Sequence, residues 1–265
     1  MKKYLCLLIA LLLVLSACGK SAGTKPAAQE EASAQSEPAA QEEASAEEAP
    51  AQSGTPVKDE VVEPEPEPVS PYAWLGLQDM PQCSYLDLLS SNHYYQVYDA
   101  YVLGVKSEVV EAADGIDAYQ LNGGTTSLTV GGMIYSITDS IQSYMEYDMT
   151  DSVALAEQNM KSAMENGTNM KGRKFNGTGA SSIPLYSDEG DAAEYEYYEY
   201  VTENPGVSTV TERFFMKDGD VFAIYTHTEV GETTLDSTNV IKSITGDIPA
   251  GTFEIPDLSE YKKLN

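Results

Sequence analysis

The side chains that most often carry out catalysis are few and scattered in this sequence. Its two histidines, His93 and His227, lie in different halves of the folded region, and neither belongs to a zinc-binding spacing such as His-Glu-x-x-His. Gly131-Gly132 is not followed by the lysine and helix that complete a phosphate-binding loop. We therefore expect no enzymatic activity, no metal and no cofactor.

Carboxylates are abundant, with 42 Asp and Glu against 15 Lys and Arg and a formal net charge of −27. At this density acidic pairs arise by chance, whereas a cell-wall hydrolase needs two carboxylates in contrasting environments. Asp188-Glu-Gly-Asp191 could offer oxygens to calcium, but it lacks the twelve-residue loop with its distal Glu, and a solvated turn is preferred. The negative charge repels phosphates, so no nucleic-acid partner is expected.

One cysteine lies in a pattern with a specific chemistry. Lys2 and Lys3 precede an apolar run that ends at Leu15-Ser16-Ala17-Cys18. This arrangement is typical of a signal peptide, and the run is shorter than the roughly 20 residues that cross a membrane. Its end resembles the lipobox of bacterial lipoproteins. The resemblance implies that residues 1–17 are removed and that acylated Cys18 anchors the chain to the extracytoplasmic face of the cell membrane. The alternative is an ordinary secretory signal cut near Ala22.

The other two cysteines offer no disulfide to the mature chain. Cys6 lies in the segment that would be removed, which leaves Cys83 as the only cysteine besides the acylated one. No activating base is near Cys83 in the sequence. We expect it to be a small buried core residue rather than a catalytic thiol.

Residues 18–70 have the composition of a tether. The segment Pro26–Ala34 recurs word for word as Pro38–Ala46, and three Glu-Pro pairs follow at 63–68. Such a segment has no apolar face to bury and is typical of disorder, and the Glu-Pro run favours an extended chain. We interpret it as a spacer between the membrane and the folded part, with a partner-binding tail as the alternative.

Residues 71–265 have the length of one domain with its own core. Most of this stretch alternates strand patterns with turn residues, which predicts an antiparallel meander. The clearest hairpin pairs 127–130 with 133–137 around Gly131-Gly132, and a second turn is predicted at Asp218-Gly219. Further strands are predicted at 93–104, 106–112, 116–121, 171–181, 193–202, 207–216, 221–230 and 239–244.

One segment has a helical pattern. Apolar residues recur at helical spacing from Asp151 to Asn166, Thr150 or Asp151 can cap the start, and Gly167 follows the end. The apolar stripe predicts a helix packed on the sheet, with a mobile lid as the alternative.

The tyrosines of the predicted 193–202 strand do not all fall on one face of the strand. This pattern indicates either a bulge or a strand that is covered on both faces.

The order of these elements resembles the LolA-like superfamily of bacterial envelope lipoproteins and carriers, over most of residues 93–261. The likeness is carried by three segments: Val130–Ile137 with Ser143–Tyr147, Tyr195–Tyr200 leading into Arg213–Gly219 and Val221–Tyr225, and the ending Ile248–Pro256 with Tyr261. The resemblance implies a mainly β, α+β fold in which a strongly curved, half-open antiparallel sheet wraps over helices and encloses an apolar cavity. It supplies no catalytic residue.

The expected function is non-catalytic binding of a lipid, lipopeptide or apolar peptide inside the curved sheet. The alternation of side chains along the strands and the spacing of apolar residues along the helix select the candidate lining residues. They are Tyr135, Ile137, Met160, Met164, Phe215, Phe222 and Ile224. The alternative is an envelope interaction or sensory protein in which the same fold has a filled core and binds a protein partner. A two-lobed solute receptor is disfavoured because the chain does not alternate strands with helices.

Overall fold

The computed structural model describes residues 69–186 and 193–265. The expected signal peptide, Cys18, nearly all of the tether and the Asp188–Asp191 segment lie outside these residues. Among the described residues every strand belongs to one open sheet, whose order is β12-β6-β5-β4-β3-β2-β1-β11-β10-β9-β8-β7. The strands are β1 (His93–Val102), β2 (Val105–Asp114), β3 (Asp117–Asn122), β4 (Thr125–Val130), β5 (Met133–Thr138), β6 (Ser143–Asp148), β7 (Arg173–Ser181), β8 (Tyr195–Asn204), β9 (Ser208–Lys217), β10 (Asp220–Val230), β11 (Thr233–Thr245) and β12 (Lys262–Lys263).

The sheet consists of two antiparallel meanders that share one border. Strands β1–β6 form the first and β7–β11 the second, and antiparallel pairing of β1 with β11 joins them. Only the two-residue β12 pairs in parallel among the described strands, with β6. The predicted mainly β, α+β fold with an open, curved antiparallel sheet is confirmed.

Both predicted two-residue hairpin turns are present. Gly131 and Gly132 have φ of 55° and 84°, and Asp218 and Gly219 have φ of 53° and 83°. Two positive φ values match the right-handed twist of the flanking strands, which is why these residue pairs fix the hairpins locally.

The two faces of the sheet are covered by different segments. We call one the helix face, because Tyr200, Ile224 and Ile241 pack there with the residues 72–89 that precede β1. Tyr98 packs against Ile241 on the same face. On the opposite face, residues 253–261 cover the first meander and residues 183–186 cover part of the second. The second meander is therefore covered on both faces by segments from outside the strands, and the first meander mainly on the opposite face.

A short helix anchors the core on the helix face. Helix α1 (Ser84–Ser91) follows a 3-10 turn at Ala73–Leu75, and the Trp74 indole donates a hydrogen bond of 3.2 Å to the Ser90 carbonyl. Asp220 of β10 accepts the backbone N–H of Tyr85 at 3.0 Å. Because free N–H groups at a helix start need acceptors, this carboxylate caps α1 from a distant strand.

Helix α2 (Thr150–Asn166) confirms the predicted helix, and it ends at Gly167 with φ of 63°. Its start differs in detail from the expectation. The Asp148 carboxylate accepts the Thr150 backbone N–H at 2.9 Å and the Thr150 hydroxyl at 2.6 Å, so neither Thr150 nor Asp151 is the acceptor. Neither of the described α-helices is long and apolar enough to span a membrane.

The out-of-register tyrosines of β8 are explained by burial on both faces. Tyr198 and Tyr200 pack with the helix-face core, whereas Tyr195 and Tyr197 pack with Phe215 on the opposite face. The pairing of β8 with β9 is regular, so the strand itself carries no bulge there. Of the two predicted explanations, coverage on both faces is the correct one.

Candidate ligand-binding site

Helix α2 touches the rest of the domain at a few separate points. Near its start, Thr150 lies against the β4–β5 turn, so that a Cβ built on Gly132 would be 2.9 Å from the Thr150 Cα. In the middle, the Asn92 amide donates to the Met160 sulfur at 3.1 Å. Near its end, Ala163 packs into the helix-face core. The helix therefore contacts the rest of the domain near its start, its middle and its end, but it does not pack along the sheet.

Most of the apolar stripe of α2 is not buried. Ala163 is 4% exposed and is the only buried residue of the helix, whereas Met164 is 39% exposed. Val153 and Met160 are half-buried, and Ala156 is exposed. The stripe that was expected to pack on the sheet is buried at Ala163 alone, and there the helix meets the 3-10 segment of the helix-face core.

A row of polar side chains crosses the first meander on the helix face. Strand register sets each member directly opposite the next, in the order Gln96, Glu111, Gln120, Ser127 and Ser136. Met145 of β6 continues the row at the outer side. Gln96 is buried and the others are half-buried, so this part of the helix face is polar and partly open.

Glu111 is the charged member of the row. Its carboxylate accepts the hydroxyl of Tyr94 at 2.8 Å and the hydroxyl of Tyr98 at 3.3 Å. Burial raises the pKa of both phenols, and the nearby Glu111 charge raises each pKa further, so both tyrosines remain donors. The buried Oε1 of Gln96, directly across from Glu111, has no hydrogen-bond donor among the described residues.

The seven residues predicted to line one pocket do not meet. Tyr135 and Ile137 pack beneath the C-terminal segment on the opposite face. Phe215 and Phe222 lie in a separate cluster on that face with Ile183. Ile224 alone of the predicted strand residues lies on the helix face, in the core that also receives α2. Met160 and Met164 lie on α2. Of the seven predicted residues, only these two and Ile224 therefore lie on the helix side of the sheet.

A β-bulge in β10 explains why Phe222 and Ile224 lie on different faces, although side-chain alternation in the sequence predicted the same face. The register with β9 shifts between Val221 and Ala223, so Phe222 is the extra residue. Phe222 then packs on the opposite face while Ile224, two residues later, packs on the helix face. In a regular strand these two side chains would have pointed the same way.

Two adjoining hollows lie on the opposite face beside the C-terminal segment. Their volumes are about 390 and 350 Å³, and both are lined by Gly251, Thr252 and Glu254. His93 lines the larger one, and its Nδ1 lies 3.0 Å from an Asp114 oxygen. Both hollows are open to solvent, and none of the seven predicted residues lines either of them.

Within the two described ranges, no group of three or more His, Cys, Asp or Glu could hold a metal ion. Cys83 is buried in the core as expected, and burial raises the pKa of its thiol to about 11. The nucleophilic form is therefore disfavoured at neutral pH.

No protein-family model and no curated protein matches the chain. Among solved structures, the chain is similar to an uncharacterized conserved protein from Thermus thermophilus, with a TM-score of 0.38 and 6% identity over 69% of this chain and 99% of that one. It is also similar to a domain assigned to outer membrane lipoprotein sorting in Vibrio parahaemolyticus, with a TM-score of 0.26 and 8% identity over 61% and 88%. At this degree of similarity neither neighbour assigns a ligand or an activity.

Sequence reasoning did not find the polar row. Its members are spread from position 96 to position 136, and they become neighbours only through the register of five strands. Alternation within each strand gives the face on which a residue lies, but the residue opposite depends on turn lengths and pairing. The apolar stripe of α2 was identified from the sequence, but its incomplete burial is known only from the structure.

Proposed function

We propose that the protein is a lipoprotein anchored through Cys18 on the extracytoplasmic side of the cell membrane, and that its folded part binds an apolar ligand without catalysis. The ligand is a lipid, a lipopeptide or an apolar peptide segment. It lies between α2 and the helix face of the first meander, which differs from the pocket lined by all seven residues that the sequence suggested.

The observation that carries this proposal is the unburied apolar stripe of α2. An amphipathic helix normally buries such a stripe against its own domain, because exposed apolar surface is unfavourable in water. Here Ala163 alone is buried, and the half-buried Met160 contacts Asn92, which directly precedes β1. Methionine side chains adapt to varied apolar shapes, which suits a site for flexible chains.

The binding test uses the mature chain with a Cys18→Ser substitution, so that no attached lipid competes. N-phenylnaphthylamine, a neutral probe that fluoresces in apolar surroundings, is titrated into this protein and into two variants. Met160→Lys should weaken probe binding about tenfold, because it brings a charge into the apolar site. Leu155→Lys is the matched control, since Leu155 is on α2 but 60% exposed.

Far-UV circular dichroism and the fluorescence of the single tryptophan, Trp74, verify that both variants are folded. A wild-type protein that does not bind the probe, or two lysine variants with equal affinity, would contradict the proposed site. The anchor is tested separately by incorporation of labelled palmitate into growing cells, which Cys18→Ala should abolish while leaving the domain in the cell-surface or secreted fraction.

A second candidate function is an interaction protein with a filled core. The observation that favours it is the packing of the strand side chains into clusters on both faces, with Phe215 and Ala223 fully buried. A partner protein would then bind to the outer surface of the domain. Affinity capture with the tether intact, together with absence of probe binding, would favour this candidate over the first.

A further inference from the structure

The polar row contains more hydrogen-bond acceptors than donors at its buried end. The Glu111 carboxylate offers about four lone-pair sites, and the hydroxyls of Tyr94 and Tyr98 use two of them. Gln96 is 5% exposed, and its Oε1 has no donor within reach in the part of the chain that the structure describes. Buried acceptors without donors are unfavourable, so this end of the row is incomplete as it stands.

The charge of Glu111 is also uncompensated by a basic side chain. The ion pairs between described residues engage other carboxylates, and none of them includes Glu111. By contrast, Glu108 on the same strand points to the opposite face and pairs with Lys242 at 2.9 Å. A partly buried carboxylate that is hydrogen-bonded only by neutral hydroxyls attracts a cation.

We propose that the ligand of this domain carries a protonated amine, which binds Glu111 and the Gln96 carbonyl oxygen. This inference rests on the proposed function and names the polar end of its ligand. An ammonium group brings three N–H donors and no acceptor, which matches a carboxylate with free lone pairs beside an unpaired amide oxygen. A carboxylate or phosphate head would be repelled by Glu111.

The geometry of the row also gives the ligand a direction. Glu111 is half-buried, and the row continues outward through Gln120, Ser127 and Ser136 to Met145. An amine at Glu111 therefore leaves its apolar part on the same face that carries α2. The ligand class is an amphiphile with one cationic end, such as an amine-bearing lipid or a peptide with a free amino terminus and apolar side chains.

The test compares three amphiphiles of equal chain length, decylammonium, decanol and decanoate, as competitors of N-phenylnaphthylamine bound to the Cys18→Ser chain. Decylammonium should compete at concentrations about tenfold lower than decanol, and decanoate should be the weakest, because only the amine forms charge-assisted hydrogen bonds with Glu111. Glu111→Gln should remove the preference for decylammonium over decanol. Glu108→Gln, on the same strand but on the other face, should retain it.

A second variant guards against misfolding of Glu111→Gln. Gln96→Met keeps the length of the side chain and changes no charge, and it should reduce the preference for decylammonium over decanol, because it removes the amide oxygen that accepts from the ammonium group. Equal competition by decylammonium and decanol, or equal loss in the Glu111 and Glu108 variants, would overturn the inference and leave the apolar site standing. Failure of both the probe and decylammonium to bind the wild-type chain would overturn the inference together with the proposed function.

Discussion

A Glu212→Gln substitution should destabilise the folded domain by about 2–4 kcal/mol, because it breaks a buried ion pair that ties three segments together. The Arg173 guanidinium donates from Nε and Nη2 to the two Glu212 carboxylate oxygens at 2.6 and 2.7 Å. Its Nη1 donates to the Leu75 carbonyl at 3.1 Å. One arginine thus connects β7, β9 and the 3-10 segment that supports the helix-face core.

The magnitude follows from burial and geometry. The two side chains are only 16% and 15% exposed, so water cannot replace the missing carboxylate. Removing one partner of a buried pair costs about 3–5 kcal/mol, since the other charge is left uncompensated. We lower the range because the glutamine oxygen still accepts one hydrogen bond, and because the pair is not completely buried.

Urea unfolding monitored through Trp74, which is 6% exposed, measures the change. Glu203→Gln is the matched control, since Glu203 is 62% exposed in its pair with Lys174 and should change the free energy of unfolding by less than about 0.5 kcal/mol. The double variant Arg173→Met with Glu212→Leu should be more stable than Glu212→Gln, because no charge then remains buried. A loss below about 1 kcal/mol in Glu212→Gln, or a double variant less stable than the single one, would refute this account of the pair.

Three further predictions concern the turn, a histidine and the free thiol. Gly132→Ala should destabilise the domain by about 1–3 kcal/mol in urea unfolding, because the backbone there has φ of 84° and an added Cβ would collide with Thr150 and Val153. Gly131→Ala is the control and should cost about 1 kcal/mol, because nothing lies within contact of its Cβ. The hydrogen bond with Asp236, helped by the nearby Glu229 carboxylate, raises the pKa of His227. The stabilising contribution of this histidine is therefore present below the pKa of an unfolded histidine and is lost as pH rises through the folded value. Asp236→Asn should reduce this loss in unfolding measured across pH, and the part that remains is due to Glu229. In the mature Cys18→Ser chain, Cys83 should react with a disulfide reagent only in step with urea unfolding, and rapid native labelling would contradict its burial.

The local elements of this protein could be predicted from its sequence. The pairs Gly131-Gly132 and Asp218-Gly219 adopt two positive φ values each, which few other residue pairs tolerate, so the hairpins are decided within a few residues. The helix that ends at Gly167 follows equally from spacing and from a left-handed cap. The antiparallel, mainly β architecture follows because short turns between successive strands leave little choice of topology.

The composition of the candidate site was decided by the tertiary structure. A bulge at Phe222 sends this residue and Ile224 to different faces, and the pairing of β1 with β11 joins meanders whose strands are far apart in the sequence. Glu111 becomes a neighbour of Gln96 only when β1 and β2 pair in one register, and a shift by one residue would have turned it away. The sequence therefore determines which segments form strands, turns and helices, because those choices depend on nearby residues. Which side chains share a face and meet depends on bulges and long-range register, which are selected by the packing of the whole sheet.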